Sequence, residues 1–466
     1  MTSVDVVIMA AGKGTRMKSR WPKVLHRLAG RALVEHVLDS VVGLQARRIV
    51  VVTGNGAPEV EGAVMAWSRN RGVPAPGFVR QEPQLGTGHA VQQAVPLLAE
   101  DGITLILNGD VPLVEASTLR SLVERSGGRA LALLGVRMTD PTGYGRLLRD
   151  GEQVTAIVEH KDASEEQRRI DEVYTGFMAV PNGLLKRWLA RLTNDNAQGE
   201  YYLTDIVGLA VQDGVAVVAV TAADPLQVEG VNSPSQLAAL ERAFQQRQAQ
   251  ALMEQGVRIA DPARFDVRGQ LVCGQDVEID VNCVFEGRVA LGDGVRIGAN
   301  CVIANATIAA GAQIHPFTHI DGETAGVKIG EGALVGPFAR LRPGADLGPE
   351  VHVGNFVEIK NSTLGRGAKA NHLAYLGDAS VGARVNYGAG SITANYDGAN
   401  KHRTVIEEDV HIGSNSVLVA PVTIGRGGTV GASSTITKDT PPDTLSVARG
   451  KQVSIANWQR PKKAAK

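Results

Sequence analysis

The chain has 466 residues, and at ~150 residues per domain it is too long for one ordinary domain, so two or three are expected. Lys+Arg 48 against Asp+Glu 48 leaves no net charge. A general affinity for nucleic acid or anionic lipid is therefore not indicated, and only local phosphate sites are expected. No apolar run reaches the ~18 residues of a membrane span, and the opening "MTSVDVV" lacks the basic-then-apolar pattern of a signal peptide. Cys273, Cys283 and Cys301 form no Cys-x-x-Cys pair, which predicts reduced thiols in a cytoplasmic protein and neither a disulfide framework nor a zinc site.

Residues 1–230 alternate short apolar runs with amphipathic stretches. "DVVIMAA" (5–11), "RIVVVTG" (48–54), "ITLILNGD" (103–110) and "VAVVAVT" (215–221) read as strands; "ALVEHVLDSVVGL" (32–44) and "TGHAVQQAVPLLA" (87–99) read as helices. This alternation predicts an α/β domain with a mostly parallel, Rossmann-like sheet. Ligands bind such sheets beyond the carboxyl ends of the strands. The glycine-rich turn in "VVIMAAGKGTRMKSRWPK" (6–23) and Asp110 both fall at such ends.

Residues 231–256 read as a linker helix. Ser233 is placed to cap it, Pro234 suits the first helical position and Gln236 would complete a capping box. With Gly256 as its stop, the helical run 234–255 would span roughly 33 Å at 1.5 Å per residue, enough to hold two domains apart.

Residues 257–466 carry a repeat. Aliphatic positions recur at Leu291, Ile297, Ile303; Ile308, Ile314, Ile320; Ile329, Val335, Leu341; Leu347, Val353, Ile359; Leu364, Ala370, Leu376; Val381, Tyr387, Thr393; Ile406, Ile412, Leu418; and Ile424, Val430, Ile436. A six-residue period predicts a parallel β-helix: three short strands make each coil, one side chain per strand points inward, and glycine serves the corners. The 54 glycines, about 12% of the chain against a usual ~7%, fit that demand. The phase breaks at "ANYDGANKHRTV" (394–405), a polar insertion of the kind that carries binding in repeat arrays. The closing "RPKKAAK" reads as a solvated tail.

The opening turn is neither a Walker A loop, which needs Gly-Lys-Ser/Thr after an earlier glycine, nor a full dinucleotide fingerprint, since Met17 stands at the third glycine position. The string "MAAGKGTRM…PK", with "QLGTGHA" (84–90), "NGD" (108–110), "DPTGYGR" (140–146), "VEHKDA" (158–163) and "VEGVN" (228–232), resembles the sugar-1-phosphate nucleotidyltransferases. In the second half, "GPFARLRPGA" (336–345), "HVGNFVEIKN" (352–361), "NHLAYLGDASVGARVNYGAG" (371–390) and "NYDGANK" (395–401) extend the likeness over nearly the whole chain. It resembles the bifunctional N-acetylglucosamine-1-phosphate uridyltransferase/glucosamine-1-phosphate acetyltransferase family.

That resemblance implies two transfers: acetylation of glucosamine-1-phosphate by acetyl-CoA, then joining of the product to UTP, yielding UDP-N-acetylglucosamine and pyrophosphate. Backbone at Ala10, Ala11, Gly12 and Gly14 would receive phosphate oxygens, since glycine lets the chain approach closely. Arg16 and Lys23 would supply cations. The resemblance makes Asp110 and Asn232 ligands of Mg²⁺, a hard ion that keeps waters and bridges phosphates. Gln81, Gly86 and Thr87 match uracil-binding positions, Gly109 belongs to the nucleotide site, and Gly143 and Glu159 match sugar-binding positions. In the second site His372 is the candidate base, its ordinary pKa of ~6.5 lying near working pH. Arg342, Lys360, Tyr375 and Asn386 map to sugar-phosphate positions, and Ala389, Asn395, Tyr396, Ser414, Ala432 and Arg449 to acetyl-CoA positions. The family also implies a left-handed β-helix and a homotrimer, with the loop 394–405 placed to reach a neighbouring copy.

One residue departs from the pattern. Within "EVYTGF" (172–177) the family usually has Asn where this chain has Tyr174, and Tyr174→Asn is expected to lower the KM for the sugar phosphate. A nucleotidyltransferase whose β-helix only regulates would lack His372, Tyr375 and the "NYDGANK" loop. A non-catalytic subunit would have lost the phosphate turn or Asp110. All are present.

Overall fold

The computed structural model describes residues 2–151, 153–196, 198–461 and 463; of the closing basic segment, 462 and 464–466 lie outside the described residues. The chain divides into two compact units, Met1–Phe244 and Gln245–Lys466.

The first unit is built on a sheet whose central order is Val217–Thr221, Leu131–Arg137, Glu172–Pro181, Ile103–Asn108, Val4–Met9, Arg48–Thr53, Gly77–Arg80. Glu172–Pro181 runs antiparallel to both neighbours, while the other neighbours on this path pair in parallel. Val6, Val7 and Ile8 are fully buried, as a strand covered on both faces requires. Helices Leu33–Val42 and Thr87–Ala94 pack on the sheet, the second passing into a 3-10 turn at Val95–Leu97, where Pro96 removes a backbone donor. Val4–Met9 lies between Arg48–Thr53 and Ile103–Asn108, and Met9 pairs with Asn108. The glycine turn and Asp110 therefore leave the sheet side by side, at a point where the strand order reverses.

The long helix spans Pro234–Glu254. Ser233 Oγ accepts from the Gln236 N–H at 3.2 Å, as expected, but the Gln236 side chain bonds the Asn232 N–H (2.9 Å) in place of that of Ser233. Gln236 thus secures the backbone of Asn232. Its Leu237, Leu240 and Phe244 pack in a cluster with Met17, Leu28 and Leu33 of the first unit. In the second unit, Gln245 bonds the Val267 N–H and carbonyl.

The second unit is a parallel β-helix. One face carries eleven strands from Arg258–Ile259 to Leu445–Ser446, and the other two belong to one sheet joined where Val302–Ile308 pairs first with His319–Asp321 and then with Val327–Ile329. Every position of the six-residue series is buried, including Thr393. Successive coils stack in register, Val335 on Val353, then Ala370, then Tyr387. The apolar column also begins earlier than Leu291, continuing the same phase upstream through Phe285 and Ile279.

Glycine serves the corners as expected, and a second set of glycines serves close approach between coils. A Cβ on Gly330 would lie 2.4 Å from the Gly348 carbonyl carbon, so glycine is needed for coil-to-coil approach. Left-handed turn positions are held by glycines, among them Gly294, Gly311, Gly332, Gly367 and Gly427, and at other corners by Asn282, Asn300, Phe317, Phe338, Phe356 and Leu373.

Candidate functional site

Ala10, Ala11, Gly12, Lys23, Gln81, Gly86, Thr87 and Asp110 line one cavity of about 410 Å³ at the carboxyl ends of the central strands. Gly12 faces open space: apart from its chain neighbours, no atom of the described residues lies within 4 Å of where a Cβ would stand. Gly14 adopts φ +59°, and a Cβ there would meet the Lys23 Cβ at 2.7 Å. It is glycine because the returning chain must bring Lys23 against the turn.

Lys23 Nζ bonds Asp110 Oδ2 and lies 3.1 Å from Asn232 Oδ1. Arg16 Nη2 donates to the same Asn232 oxygen at 2.9 Å. Two cations and two hard oxygens thus meet beside the cavity. Gly109 donates its N–H to the Met9 carbonyl, tying the two strand ends together. Gln81 is 4% exposed and donates to the Gly86 carbonyl at 2.8 Å, while Thr87 Oγ1 accepts from the Leu203 N–H. Gly143 lies on an exposed turn. Burial, with Asp162 and Asp205 nearby, pushes the Glu159 carboxyl above its usual range. Glu159 Oε1 lies 3.6 Å from the Cβ position of Gly145, whose carbonyl accepts from the Tyr174 N–H. The Tyr174 ring is turned into the core, 8% exposed, and its hydroxyl has no hydrogen-bond partner among the described residues.

The second cluster lies on the β-helix. Glu358 pairs with Tyr375 in register, and Lys360 with Gly377. Arg342 donates to Glu358 at 2.8 Å. Arg342 and Lys401 pull the Lys360 ammonium below its usual range, so three cations converge here. Lys401 was not singled out from the sequence, although it ends the quoted loop motif; a bridge to Tyr396 folds it back. The loop is braced by Asp397, which accepts from the Asn400 and Ala399 N–H groups and pairs with His402, and these bonds hold its carboxyl well below the usual range.

His372 is exposed at a corner, and its Nδ1 lies 3.1 Å from Asn355 Oδ1. Asn355 sits one coil away in register. It too was missed, because only the stacking of coils reveals the pair. Asn386 pairs with Lys369 one coil back, on the face that carries His372. From His372 a line of small residues runs along the corner: Gly390 donates to the His372 carbonyl, Asn415 to Ala389, and Ser433 to Ser414. Arg449 Nη1 donates to the Ala432 carbonyl at 2.8 Å, bringing that predicted pair together. Tyr396 is exposed, whereas the Asn395 side chain is buried and committed to Asp378.

A model of the MobA-like NTP transferase domain matches residues 6–172, and one of the bacterial transferase hexapeptide (six repeats) matches 271–305, 326–361 and 403–438. The chain is 71% identical over 475 residues to the bifunctional protein GlmU of Acidovorax ebreus (strain TPSY), covering 100% of both chains. It is 73% identical to the GlmU of Polaromonas naphthalenivorans (strain CJ2), covering 99% of this chain and 98% of that one. Against the GlmU of Bordetella parapertussis (strain 12822 / ATCC BAA-587 / NCTC 13253) it is 57% identical, covering 99% of each. With both domain types in place and identity running the full length, the chain belongs to the GlmU family of bifunctional transferases.

Proposed function

We propose that Arg16, Lys23 and Asp110 carry uridylyl transfer and His372 carries acetyl transfer, in a protein that acetylates glucosamine-1-phosphate with acetyl-CoA and then joins the product to UTP. The observation that carries this reading is the placement of two polar clusters, each assembled within its own compact unit.

In the first site the sugar phosphate oxygen attacks the α-phosphorus of UTP in line as pyrophosphate leaves. No base is needed, because the attacking oxygen is already anionic; the work is positioning and charge neutralisation. The turn at Ala11–Gly14 receives phosphate oxygens, Lys23 and Arg16 neutralise them, and Gln81 and Thr87 orient the uracil. Glu159 and Gly143 take the sugar. A divalent ion fits Asp110 Oδ2 and Asn232 Oδ1, since both oxygens already meet on one cation, the Lys23 ammonium. Two protein oxygens leave the remaining positions to waters and phosphates, as Mg²⁺ prefers, and a bound ion would spread the charge of the departing pyrophosphate.

In the second site Arg342, Lys360 and Lys401 bind the sugar phosphate, with Tyr375 and Asn386 on the sugar. Asn355 Oδ1 accepts from Nδ1–H, which leaves the Nε2 lone pair of His372 free as base. The substrate enters as the free amine; as its nitrogen attacks the thioester carbonyl, Nε2 takes one N–H proton, the C–S bond of the adduct breaks, and the imidazolium gives that proton to the leaving thiolate. Ala389, Ser414, Ala432 and Arg449 line the course of acetyl-CoA, with Asn395 and Tyr396 from the loop.

The protein works in the cytoplasm as a homotrimer. All three cysteines are free, and burial pushes the Cys283 and Cys301 thiols up to about 11 and about 12. No helix among the described residues is long and apolar enough to cross a membrane. Support for assembly comes from the corner leading to His372, where Phe317, Phe338 and Phe356 stack with ring centroids 4.9 and 5.4 Å apart and Leu373 follows. These four side chains are 47–63% exposed. Purified protein given glucosamine-1-phosphate, acetyl-CoA, UTP and Mg²⁺ should form UDP-N-acetylglucosamine; failure to form it would refute the assignment.

A further inference from the structure

The two oxygens suited to a divalent ion are both taken by the protein's own cation. Lys23 Nζ bonds Asp110 Oδ2 and Asn232 Oδ1, and Arg16 adds a second bond to that Asn232 oxygen. The Lys23–Asp110 pair is largely shielded, with side-chain exposures of 18% and 15%. Asp110 is fixed from behind by its carbonyl, which accepts from the Val231 N–H at 3.0 Å, and Asn232 by Gln236. The backbone and Cβ of Lys23 are held as well, packed against Gly14 at the start of the short turn Lys23–Leu25, while the stem beyond them can swing. The carboxylate–amide pair is therefore preformed, and the ammonium lies between its oxygens.

We propose that Lys23 competes with the divalent ion for Asp110 and Asn232, so that the ion alone binds poorly and its entry requires the ammonium to leave. A point charge on a flexible stem can make that move. Its natural destination is the phosphate-binding turn, where the triphosphate would supply new acceptors. Nucleotide and ion binding are then coupled through one side chain, each lowering the cost of the other. This rests on the assignment of Asp110 and Asn232 as ion ligands.

The test measures Mn²⁺ binding to the full-length protein by electron paramagnetic resonance, with no nucleotide present. Lys23→Met should bind Mn²⁺ about tenfold more tightly than the wild type, reflecting release of a charge-assisted bond. Lys18→Met, which removes an exposed charge from the same segment, should change binding less than twofold. Lys23→Gln provides a second substitution, and circular dichroism identifies any variant that has lost its fold. If neither folded Lys23 variant binds more tightly than Lys18→Met, the competition is refuted while the ion assignment stands. In Lys23→Met/Asp110→Ala the gain should vanish; if it persists, the ion sits elsewhere and the assignment itself fails. In the wild-type protein, reductive methylation of Lys23, read by peptide mass spectrometry, should rise as Mg²⁺ is added. Labelling that is unchanged at saturating Mg²⁺ would also overturn the proposal.

Discussion

Asn355 Oδ1 stands 3.1 Å from His372 Nδ1, one coil away on the β-helix. An amide oxygen only accepts, so the pair places the imidazole proton on Nδ1 and leaves Nε2 as the basic nitrogen. His372→Ala should lower kcat for acetylation by roughly 10²–10⁴-fold, the usual weight of a positioned base. Asn355→Ala should lower kcat by about tenfold with little change in KM for glucosamine-1-phosphate, because it frees the ring without touching the sugar. Release of CoA thiol, followed by a colorimetric reagent, measures both. An unchanged kcat in Asn355→Ala would show that another contact sets the ring.

Asp110→Ala should abolish uridylyl transfer and leave acetylation intact, since Asp110 and His372 belong to different compact units. Pyrophosphate release and CoA release, assayed separately on the same preparation, decide it. Loss of both activities in a folded protein would contradict the two-site assignment.

Phe338 sits in the middle of the exposed ring stack, between Phe317 and Phe356. These rings are already about half buried, so covering the rest between copies would be worth about 1 kcal/mol per side chain. Phe338→Asp should therefore shift the mass measured by light scattering from three times 49.1 kDa toward one, and lower acetylation while sparing uridylyl transfer. A wild-type protein that is monomeric and fully active would refute the trimer.

The Tyr174 hydroxyl is buried without a partner among the described residues, and a buried unsatisfied group costs about 1–3 kcal/mol. Tyr174→Phe should stabilise the first unit by about 1 kcal/mol and leave the KM for N-acetylglucosamine-1-phosphate unchanged. Tyr174→Asn removes ring volume from the core and should cost about 3 kcal/mol, so any gain in sugar binding must be measured at a temperature where the variant is folded. Urea titration with parallel kinetics separates the two effects. A raised KM in Tyr174→Phe would show that the hydroxyl reaches substrate.

Asp5 illustrates an acid-sensitive contact that no motif announced. Burial alone would raise its pKa, but bonds from Arg47 (2.7 and 3.0 Å), Asn182 (2.9 Å) and the Ala99 N–H hold it below the usual range. A carboxyl lowered on folding stabilises fully above its unfolded pKa of ~3.9 and loses that contribution as pH falls through the folded value. The first unit should thus lose stability below about pH 4, and Asp5→Asn should cost about 2 kcal/mol at neutral pH and flatten that fall. Urea midpoints measured across this range test it; an acid limb unchanged in Asp5→Asn would assign the loss to other carboxylates.

The amino-acid sequence by itself determined the two-part architecture, because periodicity is local. A six-residue phase can place side chains such as Val335, Val353 and Ala370 inward only in a coil that repeats, and alternating apolar runs and amphipathic stretches dictate a covered sheet. It also exposed the glycine turn and Asp110, each at a strand end. What only the tertiary structure decided are the meetings of residues far apart in the chain. Lys23 reaches Asp110 across 87 positions and Asn232 across 209, and Arg16 reaches Asn232 across 216. Asn355 and Lys401 become partners of His372 and Lys360 through coil stacking and the return of a loop. The glycines of close approach between coils, the inward turn of Tyr174 and the exposed Phe stack likewise follow from which backbone lies alongside which. The physical reason is the same in each case: chain spacing fixes which residues share a face, whereas distance between faces is set by packing.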